Sequence, residues 1–164
     1  MKKVSFLLAT LLIGGMMFTG CKKDPQPTPT PTPDPTPTPT TLTVVYKVDK
    51  TNGNLVISDC FKLNVTYTDA NGQSVTESGV TLPWTKSVEV TSPFKAKMEG
   101  EYVYNEAELP DQVVSGKRYG IGSYTGSSLN IEMMGTLGSA SKENFLNLMA
   151  AHPDRLKFTM EKDF

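Results

Sequence analysis

From Pro25 to Pro39 every second residue is proline, and the residues between are mostly threonine. Proline fixes φ and has no N–H to donate, so this stretch forms neither a helix nor a sheet ladder. It is confined to extended polyproline II, which rises about 3.1 Å per residue. Residues 21–41 therefore read as a stiff tether, able to hold a domain up to roughly 60 Å from its anchor. Threonine-proline repeats also match the composition of O-glycosylated stalks. A folded core has to come from residues 42–164, a length typical of one domain.

The segment before the tether has the make-up of a secretory signal. Lys2 and Lys3 supply positive charge, and Val4–Phe18 supply fifteen uncharged, mostly apolar residues. A membrane-spanning helix needs roughly 20. The small residues Thr19 and Gly20 close the run, so residues 1–20 are expected to be a cleaved signal peptide. The residues Phe18-Thr19-Gly20-Cys21 resemble the lipobox of bacterial lipoproteins, with Phe18 at a position usually held by leucine. That resemblance implies cleavage before Cys21, a thioether-linked diacylglyceryl on its sulfur, and a further acyl chain, such as palmitate, on the new amino terminus. Each buried methylene contributes about 0.8 kcal/mol, so two or three chains give a stable anchor. The expected partner of this end is the membrane, and the expected location is the cell envelope at the outer membrane. Asp24 beside Lys22 and Lys23 leaves the surface and periplasmic faces both open.

Without residues 1–20 the chain carries 14 basic and 17 acidic residues, a net charge near −3. No basic surface is implied, which argues against nucleic acid as a partner. With Cys21 lipidated, Cys60 is left without a disulfide partner. It lies in the apolar stretch ISDCFKLNV and is expected to be a buried, inert thiol.

Period-two alternation dominates residues 42–164. In FKLNVTYT, Phe61, Leu63, Val65 and Tyr67 alternate with polar residues; KSVEVT, PFKAKME, LNIEM and RLKFTMEK repeat the pattern. TVVYKV and EYVYN read as further strands. Asn52-Gly53 and Asn71-Gly72 are strong hairpin signals, and Ser115-Gly116 reads as a third turn. One helix is expected in SASKENFLNLMAAHP, where Phe145, Leu148, Met149 and His152 fall at helical spacing. Ser139 or Ser141 would cap it, and Pro153 follows its end. Many short strands separated by turns predict a mostly β fold, a β-sandwich with one C-terminal helix before the last strand; a small barrel is second. Pro83 is expected at a strand start or bend, and Trp84, the lone tryptophan, as a core plug where the chain turns between sheets.

Thr66 to Gly72 (TYTDANG), followed by Leu82, Pro83, Trp84 and Lys86, resembles MmpS-like proteins, which are membrane-anchored extracytoplasmic domains. The resemblance implies an immunoglobulin-like sandwich. This chain departs from that family in its cleaved anchor, its tether and its C-terminal helix, so the family's roles are not carried over.

Candidate chemistry is sparse. His152, the single histidine, falls at the helix end, where a structural or capping role is expected. The loops beginning at Asp49 and Asp69 lack the glycine and glutamate that a calcium-binding EF-hand loop requires. No clustered His and Cys suggest zinc. Tyr119-Gly120-Ile121-Gly122 and Gly126 do not fit the dinucleotide spacing and read as a flexible loop able to bind a ligand. Glu99, Glu101, Tyr102, Tyr104, Tyr119 and Tyr124 are the candidate ligand surface. The paired carboxylates leave glycoside cleavage as a remote reading. No cofactor or metal is expected. The reading favoured is a non-enzymatic, lipid-anchored domain that binds an envelope protein or glycan. The alternative is a structural or assembly subunit of an envelope or fimbrial complex using strand addition.

Overall fold

A computed structural model describes residues 38–164. The signal segment, Cys21 and the tether up to Pro37 lie outside the described residues. In chain order the strands are β1 (Thr41–Val48), β2 (Thr51–Asn52), β3 (Leu55–Val56), β4 (Phe61–Thr68), β5 (Ser74–Val80), β6 (Trp84–Thr91), β7 (Lys95–Tyr104), β8 (Gln112–Gly116), β9 (Tyr119–Thr125), β10 (Ser128–Ile131), β11 (Leu137–Ser141) and β12 (Lys157–Asp163). Helix α1 (Lys142–Ala151) comes before the last strand, followed by a 3₁₀ turn, Pro153–Leu156.

Two four-stranded antiparallel sheets form the body, in the orders β10-β9-β1-β6 and β12-β7-β4-β5. Side chains from the two sheets meet between them. Tyr46 on β1 lies 5.4 Å from Tyr67 on β4, and Tyr119 on β9 stacks at 4.2 Å on Phe158 of β12. The fold is thus the mostly β sandwich, with one helix before the final strand, that the alternation predicts. In β4 the pattern is realised directly: Phe61, Leu63, Val65 and Tyr67 are buried, while the residues between them face outward. Val44, Tyr46 and Val48 enter the same core from β1. Burying a side chain of this size contributes about 1.5–3 kcal/mol. The Tyr46 hydroxyl donates to the Thr68 carbonyl at 2.7 Å, and burial pushes its pKa up to about 12, so it remains a neutral donor. Cys60 is buried, and burial raises its thiol pKa, as the apolar surroundings suggest.

The turns follow local chemistry. Asp69 Oδ1 accepts from the amides of Asn71 (2.9 Å) and Gln73 (2.8 Å), and Gly72 takes φ +76°, closing the β4–β5 hairpin. The other Asn-Gly pair also marks a hairpin, but shifted by one residue. Asn52 pairs with Leu55, so Gly53, at φ +60°, and Asn54 form the turn. Ser141 caps α1, its hydroxyl accepting from the Asn144 amide at 3.3 Å.

Four expectations change. PFKAKME and EYVYN are one ten-residue strand, β7, running through Gly100. A Cβ at Gly100 would collide with the Phe158 ring, so the glycine marks where that ring packs, not a break. The glycine-rich segment from Tyr119 is strand β9, not a loop. At Gly120 and Gly122 the missing side chains let the backbone and side chains of 130–133 cross closely over its outer face. Ser115-Gly116 ends β8 rather than forming a hairpin, since β8 and β9 lie in different sheets. Leu129 faces outward and is 37 % exposed, not buried as the LNIEM alternation implies.

The register fixes two ends. At one, the Ser92 amide donates to the Thr40 carbonyl and Phe94 exchanges backbone hydrogen bonds with Phe164. The described N-terminal residues and the C-terminus therefore lie together, beside the Asp69–Gln73 and Thr125–Ser128 turns. At the other, Val48 pairs with Tyr119 and Phe61 with Tyr104. Helix α1 and a two-stranded ribbon, β8–β11, gather at this far end. The eight residues of β1 separate the two ends by about 25 Å.

Candidate functional site

The six residues expected to form a ligand surface do not come together as one surface; of them, Glu101, Tyr102 and Tyr104 share a lining. Glu99 and Glu101 are exposed on the outer face of the β12-β7-β4-β5 sheet, 2.7 Å from Lys97 and 3.8 Å from Lys157 respectively. They form a solvated ladder of alternating charge, worth little to stability. Tyr102 and Tyr104 point the opposite way, into the core. Tyr102 is 2 % exposed, and Tyr104 packs edge-on against Phe61 and Phe145. Tyr102 is thereby corrected as an exposed ligand residue, since successive strand residues face opposite sides and its side is the buried one. Tyr104, at the strand end, is half-buried and borders a shallow hollow shared with Glu101, Met149 and Leu156. Tyr119 is half-buried against Phe158. Tyr124 alone among the tyrosines is substantially exposed, at 44 %, directly opposite Leu129 on the outer face of the other sheet.

The Tyr102 hydroxyl is buried without a hydrogen-bond partner among the described residues. Burial pushes its pKa up; the Arg118 backbone opposes that shift without meeting hydrogen-bond geometry. An unpaired buried hydroxyl costs about 1–3 kcal/mol. Tyr102→Phe is therefore expected to raise stability by about 1 kcal/mol, read as a higher urea midpoint at unchanged slope.

Pro83 immediately precedes β6, and Trp84 opens it, nearly buried, with its ring 5.6 Å from Tyr67. Trp84 Nε1–H donates to Glu77 Oε2 at 3.0 Å. Glu77 Oε1 accepts from the Tyr67 hydroxyl at 3.2 Å and from Lys86 Nζ at 3.1 Å. One carboxylate so clasps β5 of one sheet to β6 of the other. The indole hydrogen bond, then Lys86, hold its pKa below the ordinary 4.5. The unfolded chain thus takes up the proton first as pH falls. The stabilisation is complete above about pH 4.5 and disappears as pH drops through the lower, folded-state value. Glu77→Gln should lower stability at pH 7, and the gap to the wild type should close on acidification, as followed by thermal melts across pH.

His152 is exposed. Its backbone amide closes the helix end by donating to the Leu148 carbonyl at 2.9 Å. Its role is through the backbone, and its ring has no hydrogen-bond partner among the described residues.

The feature the sequence does not announce is a hollow at the far end, of about 530 Å³, between the β8–β11 ribbon and α1. Leu137 and Ala140 line it from β11, Phe145, Leu148 and Met149 from α1, and Leu156 from the 3₁₀ turn. Phe145 is fully buried and sets the helix in place; Leu148 and Met149 remain partly open. Lys117 and Arg155 stand on the lining with Ser115 and Ser139, and no acidic residue is among them. Lys117 Nζ donates one hydrogen bond, to the Lys157 carbonyl at 2.6 Å. The helical spacing of Phe145, Leu148 and Met149 was the available signal. What it faces was not legible.

No family model matches the chain, and no curated protein matches it. The site is therefore weighed on its own geometry. A volume of this order, an apolar lining and a few convergent polar groups are the usual attributes of a binding cavity.

Proposed function

We propose that this chain is a lipid-anchored protein of the cell envelope whose sandwich is a non-enzymatic module for binding a protein or glycan. One observation carries the reading: attachment and opening lie at opposite ends. Thr40, through which the N-terminal segment joins the sandwich, is held to Ser92 at one end, while the hollow and α1 occupy the other. A domain joined this way displays its open end away from its attachment. The residues Phe18 to Cys21 and the alternating prolines supply the anchor and spacer. The MmpS-like, immunoglobulin-like reading rests on the Asp69–Gly72 turn and on Pro83-Trp84, which sit at a hairpin and at a strand start as that pattern implies.

Mass spectrometry of the mature protein from native membranes tests the anchor. The expected first residue is Cys21, carrying diacylglyceryl and an amide-linked acyl chain. An unmodified residue 21 overturns the reading. Protease shaving of intact cells then separates the two faces: loss of the domain places it at the surface, and protection places it in the periplasm. Capture of an envelope glycan or protein by the monomer is the expected activity.

The assembly reading has its own support. Strand β6 pairs with β1 along all eight residues, and its other edge is free among the described residues. The free edge of β12, in contrast, bears Lys157, Glu161, Lys162 and Asp163, charges that discourage pairing. Concentration-dependent polymerisation on a sizing column would favour assembly through β6.

A further inference from the structure

We infer that the hollow at the far end binds a small amphiphile: an unbranched or compact apolar body bearing one carboxylate. This goes beyond the envelope-binding reading and concerns a ligand smaller than a protein or glycan partner. Two observations set the chemistry. The floor is apolar, built from Leu137, Ala140, Phe145, Leu148, Met149 and Leu156, and several of these side chains stay partly open to solvent. The charge on the lining is of one sign, from Lys117 and Arg155. The acid nearest in sequence, Asp154, pairs with Lys157 at 3.3 Å. The Arg155 side chain makes no ion pair or hydrogen bond among the described residues, and Lys117 uses one of its three donors.

A volume of about 530 Å³ falls within the range of small-molecule sites and is too small for a folded partner. An apolar body would cover the exposed parts of Leu148 and Met149, which is the favourable term. A carboxylate would supply what the free guanidinium lacks. Arginine presents a planar pair of donors matched to two carboxylate oxygens, and such charge-assisted bonds are the stronger kind. A cationic amphiphile would meet two like charges, and a neutral one would leave Arg155 unpartnered.

The test uses the full chain in its native membrane fraction and two photoreactive probes of equal length: decanoic acid carrying an alkyl diazirine, and the corresponding decanol. The expected result is labelling by the acid within residues 115–117 and 135–156, displaced by excess unlabelled decanoate, with the alcohol labelling those regions at least about tenfold less at equal concentration. Arg155→Gln should reduce the acid's labelling by about tenfold, and Met149→Trp should abolish it by filling the hollow. Arg155 is exposed, so its replacement leaves the fold intact and decides the matter even where Met149→Trp disturbs packing. Equal labelling by acid and alcohol, label confined to residues outside 115–117 and 135–156, or no effect of Arg155→Gln overturns the inference. Failure here with acyl chains still found on Cys21 leaves the envelope-binding reading standing; an unmodified Cys21 with specific acid labelling does the reverse.

Discussion

Replacing Phe145 by alanine should unseat helix α1 and lower the stability of the domain by about 3–5 kcal/mol. The residue is 1 % exposed and is the one fully buried side chain of the helix. Its ring meets Phe61 at 5.7 Å and Tyr104 at 5.1 Å, both edge-on, and those two rings meet each other at 5.5 Å. Each such pair adds about 0.5–1.5 kcal/mol beyond area burial. A ten-residue helix is not stable alone in water, so its docking depends on this contact. The expected readout is a fall in melting temperature of roughly 10–20 °C, with proteolytic nicking appearing in residues 142–151 before the sheets unfold. A loss below about 1 kcal/mol would show that some other contact seats the helix.

Gly122→Val is the second large effect, and its sign is the informative part. Valine is favoured in strands and glycine is not, so at an ordinary strand position the change would stabilise. Here a Cβ would lie 2.6 Å from Ile131 Cβ and 2.8 Å from its Cα, and against the Asn130 carbonyl. Strand β10 would have to lift from β9. On the same face Val45, registered with Gly122, is 2 % exposed although it is not part of the central core. Lifting the crossing segment would therefore expose apolar surface as well. A loss of about 3 kcal/mol is expected by thermal or urea melting. A neutral or stabilised variant would mean that residues 130–133 do not cross β9 as described.

What could be read from the chain, and what could not, divides along physical lines. Strand β4 was legible because one face meets the core and the other meets water, which writes the pleat into the sequence. Helix α1 was legible through Ser141 and the spacing of Phe145, Leu148 and Met149. Strands β8 and β11 were not: QVVSG and LGSAS are short and small, with too few apolar residues to alternate. Because they form one wall of the hollow, the hollow was hidden with them. The separation of Glu99 and Glu101 from Tyr102 and Tyr104, by contrast, is present in the alternation itself. Odd and even positions of one strand do not share a surface, and the acids mark which side is wet. Gly100 and Gly122 look like breaks because sequence shows the missing side chain but not the Phe158 ring or the Ile131 backbone that takes its place.

The way the N-terminal segment joins the sandwich also has a mechanical meaning. It continues into β1, a central strand with a ladder to β6 along its whole length and another to β9 along five residues. Ladder bonds in an antiparallel pair run perpendicular to the strand. A pull on the N-terminus is directed along β1 and loads both rows of bonds at once, in shear, instead of peeling an edge open bond by bond. A strand loaded in this way resists extension better than one peeled from a sheet edge.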